Sequence, residues 1–209
     1  MTPDKLLARI FEADRQVRDA EDELMRVSEE RLSALFAEAV EDALDNADEE
    51  ESTLRLSRLA DLCAQVPGPR MADTLIAILG HEDPAVRVEA GEAIRDVAYE
   101  RFKEIAQAVE RALDRDQRGI AMQELPFVLT EVRDPDPIPL VARFLAHPEP
   151  EVVAAAIEAI AAYGDPTAAE HLMPLVDDER EASLEDLEAG PTPIGELARN
   201  ALEELGIEE

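Results

Sequence analysis

The sequence predicts an all-α protein built by stacking helix pairs, and three observations predict it. Apolar residues recur at helical spacing along the chain, and no convincing alternation of period 2 appears. Aromatic residues make up only 3% and tryptophan is absent, so a core must come from Leu, Ile, Val and much Ala, which suits closely approaching helices. The chain also repeats itself. When "ILGHEDPAVRVEAGEAIRDVA" (78–98) is laid over "FLAHPEPEVVAAAIEAIAAYG" (144–164), Leu79 meets Leu145, His81 meets His147, Pro84 meets Pro150, Ala90 meets Ala156 and Ile94 meets Ile160. Each pair is 66 residues apart, and one further unit fits between, giving a mean period of 33.

The elements follow in order. "TPDKLLARIFEADRQVRDAEDELMRV" opens with Thr2 as a helix N-cap and Pro3 at the first helical position. Its apolar face of Leu6, Leu7, Ile10, Phe11 and Val17 thins out near "RDAEDE", too irregularly for a sustained heptad seam. Residues 1–28 are therefore expected to be a helical end cap, with a partner-binding or dimerising helix as the alternative. Residues 29–209 are expected to form the repeat body.

"SEERLSALFAEAVEDAL" and "STLRLSRLADLCAQV" predict a divergent first helix pair, with the acidic "DNADEEES" (45–52) as a solvated loop before a helix N-terminus. The second unit has Leu75, Ile76 and Leu79 on its first helix, a turn with Asp83 and Pro84, and a second helix striped by Val86, Ala90, Ala93, Ile94 and Val97. The third, around 111–132, repeats that stripe as Ala121, Leu125, Val128, Leu129 and Val132, with Pro126 expected to interrupt and kink its helix. The fourth carries "EVVAAAIEAIAAYG", bracketed by Pro150 and Gly164 and apolar nearly all round. The fifth begins at "GDPTAAEHLMPLVDD" and resumes at "PTPIGELARNALEEL", where Ile194, Ala198, Ala201 and Leu202 fall 42 residues after their equivalents. About nine extra residues thus enlarge its inner loop. That loop, 177–190, carries seven acids against Arg180 and is expected to be mobile without a partner and dispensable for folding. No single pair can bury its apolar faces; stacking pair on pair makes a continuous core.

Asp83, Pro84, Val86, Arg87, Ala90, Ala93 and Ile94 in one unit, with Pro150, Val152, Ala156, Ala159 and Ile160 in another, resemble the HEAT repeat. The likeness is to the short bacterial form, similar to phycobilisome-lyase HEAT-like repeats. It covers 69–206 well and 29–67 weakly, and it implies a right-handed α-solenoid of about five units. In that family the turn Asp and the following Arg often form a hydrogen-bond ladder between units. Here only Asp83 and Arg87 keep both residues, since Val153 replaces the Arg of the later unit.

Charge restricts the function. The chain has 50 acidic and 20 basic residues, a formal net charge of −30, and only Lys5 and Lys103 as lysines. Residues 1–51 carry net −11, 52–176 net −9 and 177–209 net −10, so no segment is basic enough to grip a phosphate backbone or an anionic membrane. The acidity serves solubility or steers a basic partner. Cys63 is the only cysteine, which excludes an intrachain disulfide and fits a cytoplasmic location. The charged N-terminus has no apolar signal core, and no run approaches a membrane span of ~18 apolar residues.

Chemistry is hard to find. His81, His147 and His171 are the only histidines, the residue type best suited to acid–base chemistry, and His81 precedes Glu82 as in the iron-binding pairs of the HEAT-repeat enzyme deoxyhypusine hydroxylase. That site needs several such pairs, whereas His147 precedes Pro148. The equivalent turn positions of His81 and His147 predict a shared structural role at the end of the preceding helix. No nucleophile elbow, phosphate-cradling glycine loop or Cys–His pairing appears. No catalytic, metal or cofactor residue is therefore assigned.

What remains is protein binding. In HEAT stacks the second helices usually line a concave groove, and the resemblance turns Val88, Glu92, Arg95 and Tyr99 of one unit toward it. In the later unit it turns Ala154, Ile157, Glu158 and Ala161 the same way. Val88, Arg95, Tyr99, Ala154, Ile157 and Ala161 are the candidate partner-binding residues, with Ile157 expected to be partly exposed and Ile160 buried. The expected function is a non-enzymatic adaptor or scaffold holding a protein partner. The alternative is an acidic inhibitor, such as an immunity protein against a basic nuclease-like toxin.

Overall fold

Helices follow one another with short connections in the computed structural model, which describes residues 2–183 and 190–207. They run α1 (Pro3–Leu24), α2 (Glu29–Leu44), α3 (Glu49–Gln65), α4 (Pro69–Leu79), α5 (Pro84–Asp114), α6 (Ile120–Thr130), α7 (Ile138–Val141), α8 (Pro150–Tyr163), α9 (Ala169–Leu172) and α10 (Ile194–Glu204). Helix α7 tightens into a 3₁₀ turn over Ala142–Ala146, and α9 lies between two more, Pro166–Ala168 and Met173–Leu175.

Five antiparallel pairs result: α2 with α3, α4 with the first half of α5, the second half of α5 with α6, α7 with α8, and α9 with α10. The second members lie side by side, α3 on α5, α5 on α6, α6 on α8 and α8 on α10. The protein is an all-α solenoid. Its core is the predicted stripe: Val86, Ala90, Ile94, Leu125, Leu129, Val152, Ala156, Ile160, Ile194 and Ala198 are fully buried. Prolines supply the first helical position of α4, α5, α8 and others, where a missing N–H costs nothing. Gly164 ends α8 with φ 76°, a left-handed conformation that glycine adopts without steric penalty.

Several expectations need correction. Units two and three are not separated by a loop: α5 runs 31 residues and changes direction at Arg101 (φ −140°, ψ 46°). The bend is held from outside, because Arg101 donates to the Ala64 carbonyl and to Glu104, while Glu104 accepts the Gly68 N–H. Pro126 does not interrupt its helix; α6 passes through it with Pro126 buried. A minimal antiparallel pair, β1 (Glu181–Ala182) with β2 (Thr192–Pro193), closes the base of the enlarged loop, where no strand was expected.

That loop's centre, 184–189, lies outside the described residues, but its flanks are tied down. Arg180 pairs with Asp178 at 2.7 Å and donates to the His147 carbonyl, and Ala182 is buried. The Arg180 hydrogen bonds hold the Asp178 carboxyl below the usual carboxylate range.

Nor does the apolar face of α1 cover the stack. No residue of α1 is buried, and Leu6, Leu7, Ile10, Phe11 and Val17 stay 44–57% exposed. Contact with the body comes from Leu24, Met25 and Val27 and from an ion pair between Glu21 and Arg58.

Cys63 is wholly buried in α3, and burial pushes its thiol up to about 12. The native protein is expected to leave a thiol reagent unreacted at pH 8, then to titrate one thiol per chain in denaturant. Rapid native labelling would mean that α3 opens.

Candidate functional site

The units are stitched together by arginine. Arg87 reaches Glu124 of the next unit at 3.1 Å and the carbonyls of His81 and Glu82 in its own turn. On the other side, Asp83 caps α5 through the Ala85 N–H and accepts the Thr53 hydroxyl of the preceding unit at 3.0 Å. The Asp83–Arg87 turn thus links three units, although the resemblance promised only a partial ladder. Those hydrogen bonds, Ala85 first and Thr53 second, lower the Asp83 pKa. Its stabilising contribution is present above the ordinary Asp pKa and is lost as pH falls through the lowered one. Where the fourth unit lacks the arginine, Arg180 of the fifth supplies a bond to the same turn. Further staples join Arg111 to Asp73, Arg143 to Glu110 and Asp114, and Arg95 to Glu131.

The histidines belong to this scaffold. Nδ1 of His81 accepts the N–H of Asp83, and Nδ1 of His147 accepts that of Glu149, both at 3.1 Å. Nε2 of the buried His147 then donates to the Gln117 carbonyl. The structural role is shared, as expected, but it orders the turn and the start of the next helix, not the end of the preceding one. Among the described residues no group of three His, Cys, Asp or Glu side chains converges as a metal site.

The second helices α6, α8 and α10 enclose an open cleft of about 560 Å³. Its lining includes Phe127 from α6, Ala154, Ile157 and Ala161 from α8, and Leu197 from α10. Glu124, Glu151, Glu158 and Glu204 also line it. Three of the sequence-assigned residues, Ala154, Ile157 and Ala161, therefore meet here. Ile157 does so differently from expectation, being only 2% exposed, and Ala154 beside it is 3% exposed. Helix α8 has a second helix on each flank, and Phe127 of α6 and Leu197 of α10 line the same cleft. The start of the enlarged loop adds to this, since the Ser183 N–H donates to Glu151. Ile157 is floor, not protruding anchor.

Arg95 and Tyr99 fall in a separate shallow notch of about 540 Å³ with Glu131, Arg133 and Tyr163. Arg95 bonds the Glu131 carboxylate at 2.8 Å, and Tyr99 donates to the Glu131 carbonyl. Arg133 stacks on the Tyr163 ring at 4.1 Å and donates to the Tyr163 carbonyl. Val88 lines neither cavity and stands 60% exposed on α5. Phe127, Leu197 and Glu204 were missed because their common surface depends on how neighbouring units align, which no single repeat encodes.

No described helix is long and apolar enough to cross a membrane. Comparison with curated proteins found no match. Similar solved structures include an engineered protein at 17% identity, covering 90% of this chain and 87% of that chain with a TM-score of 0.35, and a designed armadillo repeat protein at 16%, covering 81% and 99% with a TM-score of 0.29. These overlaps are loose, and the fold rests on the chain's own repeating helix pairs. The family model described as HEAT repeats matches residues 103–188, which hold the kinked second half of α5, α6, α7 and α8. The chain is an all-α solenoid in which residues 103–188 match the HEAT-repeat family.

Proposed function

We propose that this protein is a non-enzymatic scaffold that holds a protein partner along the face formed by its second helices. The observation that carries the reading is the cleft between α6, α8 and α10. An apolar floor flanked by four glutamates suits an amphipathic segment that presents apolar residues inward and Lys or Arg at its edges. HEAT repeats commonly mediate protein binding, but the fold alone does not name a partner. The exposed Val88 and the notch at Arg95 and Tyr99 extend the same face toward α5.

Glu158 and Glu204 are both exposed, so charge reversal there should leave folding nearly untouched, within about 0.5 kcal/mol. Glu158→Arg with Glu204→Arg is expected to release partners that the wild-type chain retains in affinity capture. If both proteins retain the same set, the cleft is not the interface. Salt separates this reading from the acidic-inhibitor alternative, for which the net charge of −30 is the supporting observation. Apolar docking weakens little between low and high salt, whereas steering of a basic toxin loses association rate steeply.

A further inference from the structure

We propose that α1 is a dimerisation element, pairing antiparallel with α1 of a second copy of this chain. It is a helix of 22 residues, about 33 Å long, with no buried residue. A helix of this length draws most of its stability from packing an apolar face, and here the body touches that face only at its C-terminal end, at Leu24. Counting only large residues makes the face look broken. Once the chain is helical and Ala13 and Ala20 are included, Leu6, Ile10, Ala13, Val17, Ala20 and Leu24 follow one another at alternate steps of four and three. That is a seam of coiled-coil type, 3.5 residues per turn.

The antiparallel register follows from size. Pairing Leu6 with Leu24, Ile10 with Ala20 and Ala13 with Val17 of the second copy sets each larger β-branched residue against an alanine. A parallel pair would oppose Ala13 to Ala13 and Ala20 to Ala20, leaving gaps. Charge agrees. Residues 3–18 carry Lys5, Arg9, Arg15 and Arg18 against three acids, while 19–23 carry Asp19, Glu21, Asp22 and Glu23 with no base. In this register Arg9 of each helix stands opposite Glu21 of the other and Arg18 opposite Glu12. It also holds the two bodies, which carry nearly all of the −30 charge, at opposite ends of the pair, several times the Debye length of about 8 Å at physiological salt. The arrangement closes on a two-fold axis, so it stops at two chains.

Sedimentation of the full chain at about 100 µM, in ~0.15 M and ~1 M NaCl, is expected to show two chains per particle. Ile10→Asp with Val17→Asp should give one, raising the dissociation constant by more than about 100-fold. Because α1 has no buried residue, that variant should keep the wild-type thermal melt of the body. Cysteine cross-linking reads the orientation against a silent, buried Cys63. An equimolar mixture of Ile10→Cys and Ala20→Cys chains should form the mixed disulfide, and Ile10→Cys alone should not link to itself. A wild-type monomer in both salts overturns the proposal, as does a double variant that still pairs. Preferential self-linking of Ile10→Cys would overturn it in favour of a parallel pair. The cleft variants Glu158→Arg and Glu204→Arg should leave the dimer intact, so loss of the partner reading would not remove this one.

Discussion

Ile157→Asp is expected to destabilise the protein by about 3–5 kcal/mol, the penalty for an unpaired charge at a buried position. Ile157 is 2% exposed and sits among side chains from α6, α8 and α10 that offer no cation. The cleft's charged neighbours are glutamates, so the new carboxylate would also meet repulsion. Ile160→Ala, at a fully buried position facing the core, is expected to cost about 2–5 kcal/mol through lost burial and the cavity left behind. The two variants should therefore look alike in urea unfolding. Against a typical total of about 5–15 kcal/mol, either brings the chain near its unfolding threshold. A loss under about 1 kcal/mol for Ile157→Asp would show that Phe127 and Leu197 swing aside and that the floor opens to solvent. For the same reason Ile157 is a poor probe of partner binding, and the exposed Glu158 one residue on is the better one.

Gly195→Ala is expected to be destabilising by about 1–3 kcal/mol, although alanine is the better helix former. Gly195 lies in the first turn of α10. A Cβ there would stand 2.5 Å from the Val176 carbonyl oxygen and 3.2 Å from that of Asp178. These are backbone atoms and cannot rotate away. Asp178 also accepts the Gly195 N–H, and its side chain holds Arg180, so a shift of this strand of chain would loosen the link to the His147 turn. Thermal melts of the variant, with Gly190→Ala as a comparison at a position with open space, check it. Gly190 has φ 87°, so its substitution carries backbone strain but no clash. An unchanged melting temperature for Gly195→Ala would mean that α10 is free to slide along α9.

Much of the fold was legible in the sequence because a repeat states its rules several times over. Prolines at helix starts, small residues where helices cross and the stripe from Val86 to Val97 specify a stack of about five helix pairs and their buried sides. Each of those signals acts within one unit, over a turn or two of helix. The candidate site was legible only in part. Ala154, Ile157 and Ala161 line one cleft, but the burial of Ile157 depends on side chains about 30 and 40 residues away in the chain. Similar distances separate Arg87 from Glu124 and Arg111 from Asp73, contacts set by how one unit seats on the next. The continuity of α5 past Arg101 and the passage of α6 through Pro126 belong to the same class, since local preference for a break was overridden by packing of both sides. The sequence by itself determined the helices and their apolar faces. Only the tertiary structure decided which faces are covered, leaving that of α1 open, because burial is a property of two surfaces and the sequence of one unit describes a single one.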